Sequence, residues 1–458
     1  MNWSISNIDK ITEILRKTNV GDSQYFSHVR IASIDKAAEK EENVLFFPIY
    51  ITDEEIKLDG WYINPIDLRK HINNIISLHP NYTYVIEESM EELIQNKDAK
   101  LLVVKSINKT IDDLFVHAMS KYHPDYICVT GSVGKTSTVA LIEQMLQKKE
   151  ETLRIYSKRI TPLILKSYLI NYLNDDIKNV VLEAGLYHRH HVEYFAKLLR
   201  PKIGVLLNVR EEHLGIDGIS SKEDILLSKV KLLSHCEKAI INGSDDLIGQ
   251  LLFSSDEIYF GDKLIAEHQL EEVIAVKPDE IDHKNLNYTP YVLTNLSITQ
   301  AEVLKGIAKI KTIDENVAID AVNDFVPAEK RLQKQQLQGH NIYFDGDVSG
   351  SARINELSDH YYDNAILVIR DITSSGEEVE DYSKIVSSFD KYKRVYLFSD
   401  IIDMVPVTKS PKINVVDNHD FLNEINGSTI FYHYGSYYRS NSEYQEEVLL
   451  KGGYKCKK

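Results

Sequence analysis

The chain has 458 residues, 43% hydrophobic and 27% charged, a balance that excludes disordered and fibrous classes and leaves room for two or three domains. Lys plus Arg number 53 against 69 Asp plus Glu, and the formal net charge of −16 has the wrong sign for a broad nucleic-acid surface. A local basic pocket for a phosphorylated small molecule remains allowed.

From residue 1 to about 120, short strand-like runs (Val44–Phe47, Tyr84–Ile86, Leu101–Val104) alternate with helical stretches such as Pro65 to Ile76, the pattern of a small α/β unit. The N-terminal MNWSISNIDKITEILRK has no apolar signal core, and no apolar run reaches bilayer length. A soluble cytoplasmic protein without membrane insertion is expected. From about 121 to 326 the alternation is more regular. Tyr126–Val129, Val180–Leu182, Ile203–Leu207 and Ala239–Ile241 read as buried strands and Val139–Lys148 as a helix, which predicts a mostly parallel sheet covered on both faces. A third α/β unit runs from 327 to 458, with strands at Asn341–Phe344, Ala365–Ile369, Arg394–Phe398 and Thr429–Tyr432, in the manner of a doubly wound, Rossmann-like sheet. Cys128, Cys236 and Cys456 are far apart and in no metal-ligand spacing, so they are expected as reduced thiols.

The strongest local signal is Thr130-Gly131-Ser132-Val133-Gly134-Lys135-Thr136-Ser137-Thr138, between a predicted strand and a predicted helix. Glycines there let backbone N–H groups curl around phosphate oxygens, and the helix N-terminus adds its dipole. Lys135 would neutralise the β- and γ-phosphates and the Thr136 hydroxyl would bind Mg2+. Val129 stands where the ordinary Walker pattern has glycine, so the match is to the shorter form T-G-x-x-G-K-T-[ST]. A second cluster, His188-Arg189-His190-His191, is metal-rich in type, but Arg189 would oppose a cation, so a metal role for His190 and His191 is disfavoured.

The phosphate-loop variant resembles that of the Mur ligases, the ATP-dependent amide ligases of peptidoglycan synthesis. Further resemblances follow in the family's order. Val181-Leu182-Glu183-Ala184-Gly185 resembles its strand ending in a metal-binding Glu, and Pro201 to Gly215 resembles its P-x-I-A-x-x-T-N-I-x-x-x-H-L segment. Ser228-Lys229-Val230 falls where the family carries a carbamylated lysine, and Ala239 to Asp246 matches its V-x-N-x-D-D strand end. Lys330-Arg331-Leu332 resembles a G-R motif with the glycine replaced. Asp345 falls where an Asp touches the ribose, Asn295 where an Asn contacts adenine, and Tyr432 to Ser436 resembles the terminal K-G-S of the branch that adds the final dipeptide. The family's aromatic, His/Asn and Pro positions after Asp345 are here Gly346 to Gly350, and its G-N-x-N-N stretch is missing.

The resemblance implies a three-domain architecture (1–120 for substrate, 121–326 for ATP, 327–458 closing over it) and an ADP-forming acid–amino-acid or peptide ligase. ATP would lie on Gly131, Ser132, Val133, Gly134, Lys135, Thr136 and Ser137, with Asn295, Arg331 and Asp345 completing its site. Two Mg2+ ions would be held by Thr136, Glu183, His213 and N-carboxylated Lys229. Lys135, His213, Lys229 and Arg331 are the expected catalytic groups. The partners implied are a small-molecule carboxylate, such as one linked to a nucleotide sugar, and an amine acceptor, on a monomer. Three alternatives stay open: a Mur-like ligase serving capsule or secondary metabolism, a non-catalytic ATP-binding regulator, and a phosphate-loop ATPase or kinase that makes no amide.

Overall fold

The computed structural model describes residues 3–31, 43–62, 64–157, 159–211, 214–277, 295–327, 333–337, 339–346, 365–371, 389–399, 401, 411–425 and 427–434. The chain divides into two compact units, one of Met1–Cys128 with Lys149–Lys202 and one of Val129–Lys148 with Ile203–Lys458. Among the described residues no helix is long and apolar enough to cross a membrane.

The first unit holds a five-stranded sheet in the spatial order Ile14–Thr18, Lys100–Val104, Thr83–Glu87, Val44–Phe47 and His28–Ile31. The last four run parallel and the first is antiparallel to its neighbour. Val44–Phe47 is buried at every position, as a strand covered on both faces must be. The helix Ile107–Lys121 covers this sheet with Ile107, Ile111, Leu114, Phe115 and Ala118, an apolar stripe at helical spacing, and Ser106 caps its start by accepting from the Lys109 N–H. The stretch expected as one helix from Pro65 to Ile76 is broken. Asp67 accepts from the Arg69 N–H and starts a tight turn over Leu68–His71, so the α-helix begins only at Ile72 and runs to Leu78.

Within the same unit Thr152–Ile155 pairs in parallel with Asn179–Glu183, and the Asp125 N–H, opening strand Asp125–Thr130, donates to the Lys178 carbonyl at 2.8 Å. Helix Pro162–Tyr172 begins with Thr161 as cap and proline in its first turn. Its Asn171 grips the sheet edge: Oδ1 accepts from the Val29 N–H at 2.7 Å and Nδ2 donates to the Val29 carbonyl at 2.9 Å. An amide side chain thus takes the place of a neighbouring strand, satisfying polar groups that the edge would leave bare.

The second unit continues the parallel pattern with Ile203–Leu206, Lys238–Asn242 and Glu272–Val276 in register. The Leu207 N–H donates to the Thr130 carbonyl at 3.0 Å, which sets the ends of two strands side by side. Helix Asn295–Ile310 lays Val303, Leu304, Ile307 and Ala308 into the core, and a Cβ on its Gly306 would sit 3.1 Å from Ile240 Cδ1. Farther along, six strands stand in the order Gln333–Leu337, His340–Gly346, Thr429–Tyr434, Ala365–Asp371, Arg394–Phe398 and Ile413–Val416, parallel except for the first pair. The four strands expected there from sequence are all present.

Cys128 and Cys236 are buried and in no disulfide among the described residues, and burial pushes the Cys236 thiol up to about 12. Cys456 lies outside the described residues. Strand residue Gly204 packs directly on Cys236: a Cβ there would lie 2.6 Å from Sγ and 3.3 Å from Leu232 Cγ. Gly204→Ala should therefore destabilise by about 1–3 kcal/mol through overpacking. In thermal unfolding, the double variant with Cys236→Ala should lose less than the sum of the two single losses. Strict additivity would mean that the two side chains do not compete for that space.

Candidate nucleotide site

The second unit gathers a phosphate loop at the end of its strands. The strand ends at buried Thr130, and Gly131 turns the chain where no side chain fits, since a Cβ would come 2.9 Å from Leu207 Cβ. Gly134 has φ +86° and ψ −3°, a left-handed conformation that glycine adopts without strain, and it opens helix Lys135–Gln147. No side chain caps that helix start. The first-turn N–H groups at Lys135, Thr136 and Ser137 therefore present a positive helix end, the usual receptor for phosphate oxygens. The Lys135 ammonium folds over the loop and donates to the Gly131 and Ser132 carbonyls at 2.8 and 2.7 Å.

The loop is braced from two neighbouring strand ends. Asn208, 3% exposed, accepts at Oδ1 from the N–H groups of Ser132 and Val133 (3.0 and 2.9 Å) and donates from Nδ2 to the Val133 carbonyl at 3.0 Å. The Arg210 N–H donates to Ser132 Oγ at 2.9 Å, and that hydroxyl donates to the Arg210 carbonyl at 3.3 Å. Asp245 completes the brace. Its carboxylate accepts from Arg210 Nη1 at 2.7 Å, from the Val209 N–H at 3.1 Å, and from the Leu247 and Ile248 N–H groups at 3.2 Å each. From the helix side, Gln300 donates to the Gly134 carbonyl at 3.3 Å and to Thr138 Oγ1 at 3.1 Å.

Of the residues expected from sequence, the structure unites Gly131, Ser132, Val133, Gly134, Lys135, Thr136 and Ser137 in this one loop and helix start. Lys229 lies in helix Lys222–Val230 and is 1% exposed, unusual for a lysine. Glu183 ends strand Asn179–Glu183 in the first unit. Asp345 lies near the end of strand His340–Gly346, buried and in register with His433. Asn295 opens helix Asn295–Ile310. His213 and Arg331 lie outside the described residues. Asn208 and Arg210 fall in the Pro201 to Gly215 segment and Asp245 in the Ala239 to Asp246 segment that resemble the family, without a role of their own there, and Gln300 carries no sequence signal. The first three all sit within a few residues after a predicted strand, where loops of a parallel sheet converge.

The donor set fits a nucleoside polyphosphate with magnesium: an uncapped helix N-terminus, a lysine over the loop, and a hydroxyl in the first helical turn. In the first unit, burial pushes the Tyr62 phenol up to about 12 and holds the His191 imidazole down at about 3, keeping both neutral.

Residues 129–280 match the family described as Mur ligase middle domain. A UDP-N-acetylmuramoylalanine–D-glutamate ligase from Pseudothermotoga lettingae is 24% identical over 307 residues, 66% of each chain. A UDP-N-acetylmuramoyl-tripeptide–D-alanyl-D-alanine ligase from Rickettsia prowazekii is 27% identical over 164 residues, 35% of each. The alignments thus span about two thirds and one third of those relatives' lengths. Among solved structures, a UDP-N-acetylmuramoylalanyl-D-glutamyl-2,6-diaminopimelate–D-alanyl-D-alanyl ligase from Acinetobacter baumannii superposes with TM-score 0.70 at 15% identity, covering 98% of this chain and 99% of that one. MurF ligase from Thermotoga maritima in complex with ADP gives 0.61 at 16% identity, covering 89% and 94%. The chain therefore has the α/β fold of these ligases.

Asn208→Ala would remove the Oδ1 acceptor of the Val133 N–H and the Nδ2 donor to the Val133 carbonyl, while the Ser132 N–H keeps the Asn208 backbone carbonyl at 3.1 Å. We expect ADP affinity to fall at least tenfold in calorimetry, with a lower Tm for the ligand-free protein. Unchanged ADP affinity would show that the loop holds its shape without the brace.

Proposed function

We propose that this chain is a member of the Mur ligase family, a MurF-like, ATP-dependent, ADP-forming ligase that joins a carboxylate to an amino acid or peptide amine. The observation that carries the reading is the braced phosphate loop at Gly131–Thr136, inside the segment that matches the family's middle domain.

In the proposed reaction the substrate carboxylate oxygen attacks the γ-phosphorus of ATP, the bond to the β–γ bridging oxygen breaks, and ADP leaves. The amine then attacks the acyl carbon of the resulting acyl phosphate. The tetrahedral intermediate expels inorganic phosphate, and the amine gives up a proton. Both steps crowd anions, so positioning and positive charge supply most of the catalysis. The first-turn N–H groups and Lys135 hold the phosphates. Arg331 adds charge at the γ-phosphate, Asn295 contacts the adenine and Asp345 the ribose, each as the family resemblance implies. Thr136, Glu183, His213 and Lys229 would hold two Mg2+ ions, which offset phosphate charge and polarise the transferred group. Burial of Lys229 at 1% exposure supports its carbamylation, because the carbamate of a metal-ligating lysine has its charge matched by the ion.

The carboxylate substrate is proposed to be linked to a nucleotide sugar, by analogy with the UDP-N-acetylmuramoylalanine and UDP-N-acetylmuramoyl-tripeptide ligases that the chain resembles. A second reading, a carboxylate outside peptidoglycan, is favoured by the replacement of the family's aromatic and Pro positions with Gly346 to Gly350 and by Lys330 in place of glycine.

ADP release should be followed with Mg-ATP, UDP-muramoyl tripeptide and D-Ala-D-Ala, omitting each in turn. Release only when both organic substrates are present is the expected result, and Lys135→Ala should abolish it while leaving the Tm in place. Amine-independent release at full rate would overturn the ligase reading in favour of an ATPase or kinase. Dependence on some other carboxylate and amine pair would support the second reading. Lys229→Ala should lose activity that short-chain carboxylates partly restore. Wild-type rates in that variant would remove the carbamate from the mechanism.

A further inference from the structure

In the first unit the loop between strand Asn179–Glu183 and helix His191–Leu199 carries His188, His190 and His191, and one ring nitrogen from each lies within 4.8 Å of the other two. We propose that these three imidazoles bind one divalent transition-metal ion of the zinc class, in addition to the magnesium of the nucleotide site, and that the ion fastens this loop to the turn at Asp59–Gly60.

His191 is the anchor. It is fully buried, and its Nε2 lies 2.7 Å from the Asp59 carbonyl oxygen. A carbonyl can only accept, so Nε2 carries the proton and Nδ1 carries a lone pair. That Nδ1 is buried and has no hydrogen-bond partner among the described residues. A histidine that donates one ring N–H to a backbone carbonyl and keeps the other nitrogen for an ion is the arrangement found at protein metal centres, where the carbonyl fixes both tautomer and ring orientation. The ring is also clamped by packing. Trp61 stacks flat on it, with centroids 3.5 Å apart and planes 5° from parallel, and Phe195 backs Trp61 at 5.1 Å.

The second contact comes from the same turn. Gly60 closes helix Asp53–Asp59 at φ +61°, and a Cβ there would lie 2.8 Å from His188 Cδ2. The turn therefore seats two of the histidines at once, one by its carbonyl and one by its missing side chain. His190, half-buried, faces both, with its ring centroid 4.3 Å from that of His188 and 5.0 Å from that of His191.

The donor chemistry selects the ion. Three imidazoles without a carboxylate or thiolate suit zinc, cobalt, nickel or copper and leave one position for water, whereas magnesium wants oxygen. Arg189 and Arg159 lie close by, and sequence alone counts Arg189 against any cation. That argument applies to an ion held by charge; one bonded to imidazole nitrogen depends on it less. Arg159 is also occupied, donating to the Gly60 carbonyl and stacking over Tyr187 at 4.2 Å. At a metal–nitrogen distance of about 2.05 Å, tetrahedral ligands stand about 3.4 Å apart. Binding thus draws the half-buried His188 and His190 rings toward the fully buried His191.

The test uses the untagged full chain, stripped of metal and held in excess Mg2+, titrated with Co2+ and then Zn2+. We expect one equivalent of cobalt with the strong visible absorption of a four-coordinate ion, displacement by zinc, and a rise in Tm on loading. His188→Gln and His190→Gln should each weaken cobalt binding at least tenfold while leaving the metal-free Tm unchanged. Thr136→Ala should bind cobalt as the wild type does. The proposal is overturned if the wild type takes up no cobalt under excess Mg2+, if both histidine variants titrate like the wild type, or if Thr136→Ala is the variant that loses binding.

Discussion

A phosphate loop works only if its N–H groups point outward together, and a backbone curled that tightly does not hold itself. Here the carboxamide of Asn208 supplies the restraint. It takes two loop N–H groups on one oxygen and returns a hydrogen bond to the Val133 carbonyl, so the Ser132–Val133 segment is fixed from below while the helix start at Lys135 stays open above. The close approach that this needs is available because Gly131 has no Cβ to strike Leu207. The brace is in turn set by the parallel sheet, which brings the ends of the strands at Thr130, Leu206 and Asn242 to the same edge.

Asp245 extends that logic. Its side chain is 1% exposed, yet it carries a charge, and such a group is tolerated only when hydrogen-bonded and paired. Three backbone N–H groups and the Arg210 guanidinium meet the need, and Arg210 then reaches Ser132 through its own backbone. One buried carboxylate therefore ties two strand-end loops to the phosphate loop. Gln300 adds a tie from helix Asn295–Ile310, the helix that begins at the residue expected to meet adenine.

The first unit solves a related problem by the same means. Asn171 closes the open edge of the five-stranded sheet at Val29, and His191 takes up the Asp59 carbonyl at the end of a short helix. In each case a polar side chain satisfies backbone groups that secondary structure leaves over. The two differ in what remains. Asn171 is used on both its oxygen and its nitrogen, whereas His191 keeps a buried lone pair beside two more imidazoles.

The sequence by itself determined the α/β class, strand segments such as Ile203–Leu206 and Arg394–Phe398, and the nature of the loop at Gly131–Thr136. Apolar runs bounded by turn residues report burial on both faces of a sheet, and glycine–lysine–hydroxyl spacing is a local chemical requirement that needs no distant partner. It misread Pro65 to Ile76 as one helix, because the competing turn made by Asp67 is a local side-chain hydrogen bond that periodicity does not register. It placed Asn208 and Asp245 inside family-like segments without a role, because their importance lies in what they touch rather than in their type. Only the tertiary structure decided that Asn208 lies under the loop, that Lys229 is buried, and that Gly60 and Asp59 seat a histidine cluster more than a hundred residues away in sequence. Those facts depend on which strands become neighbours, and pairing between distant segments is set by the packing of the whole core.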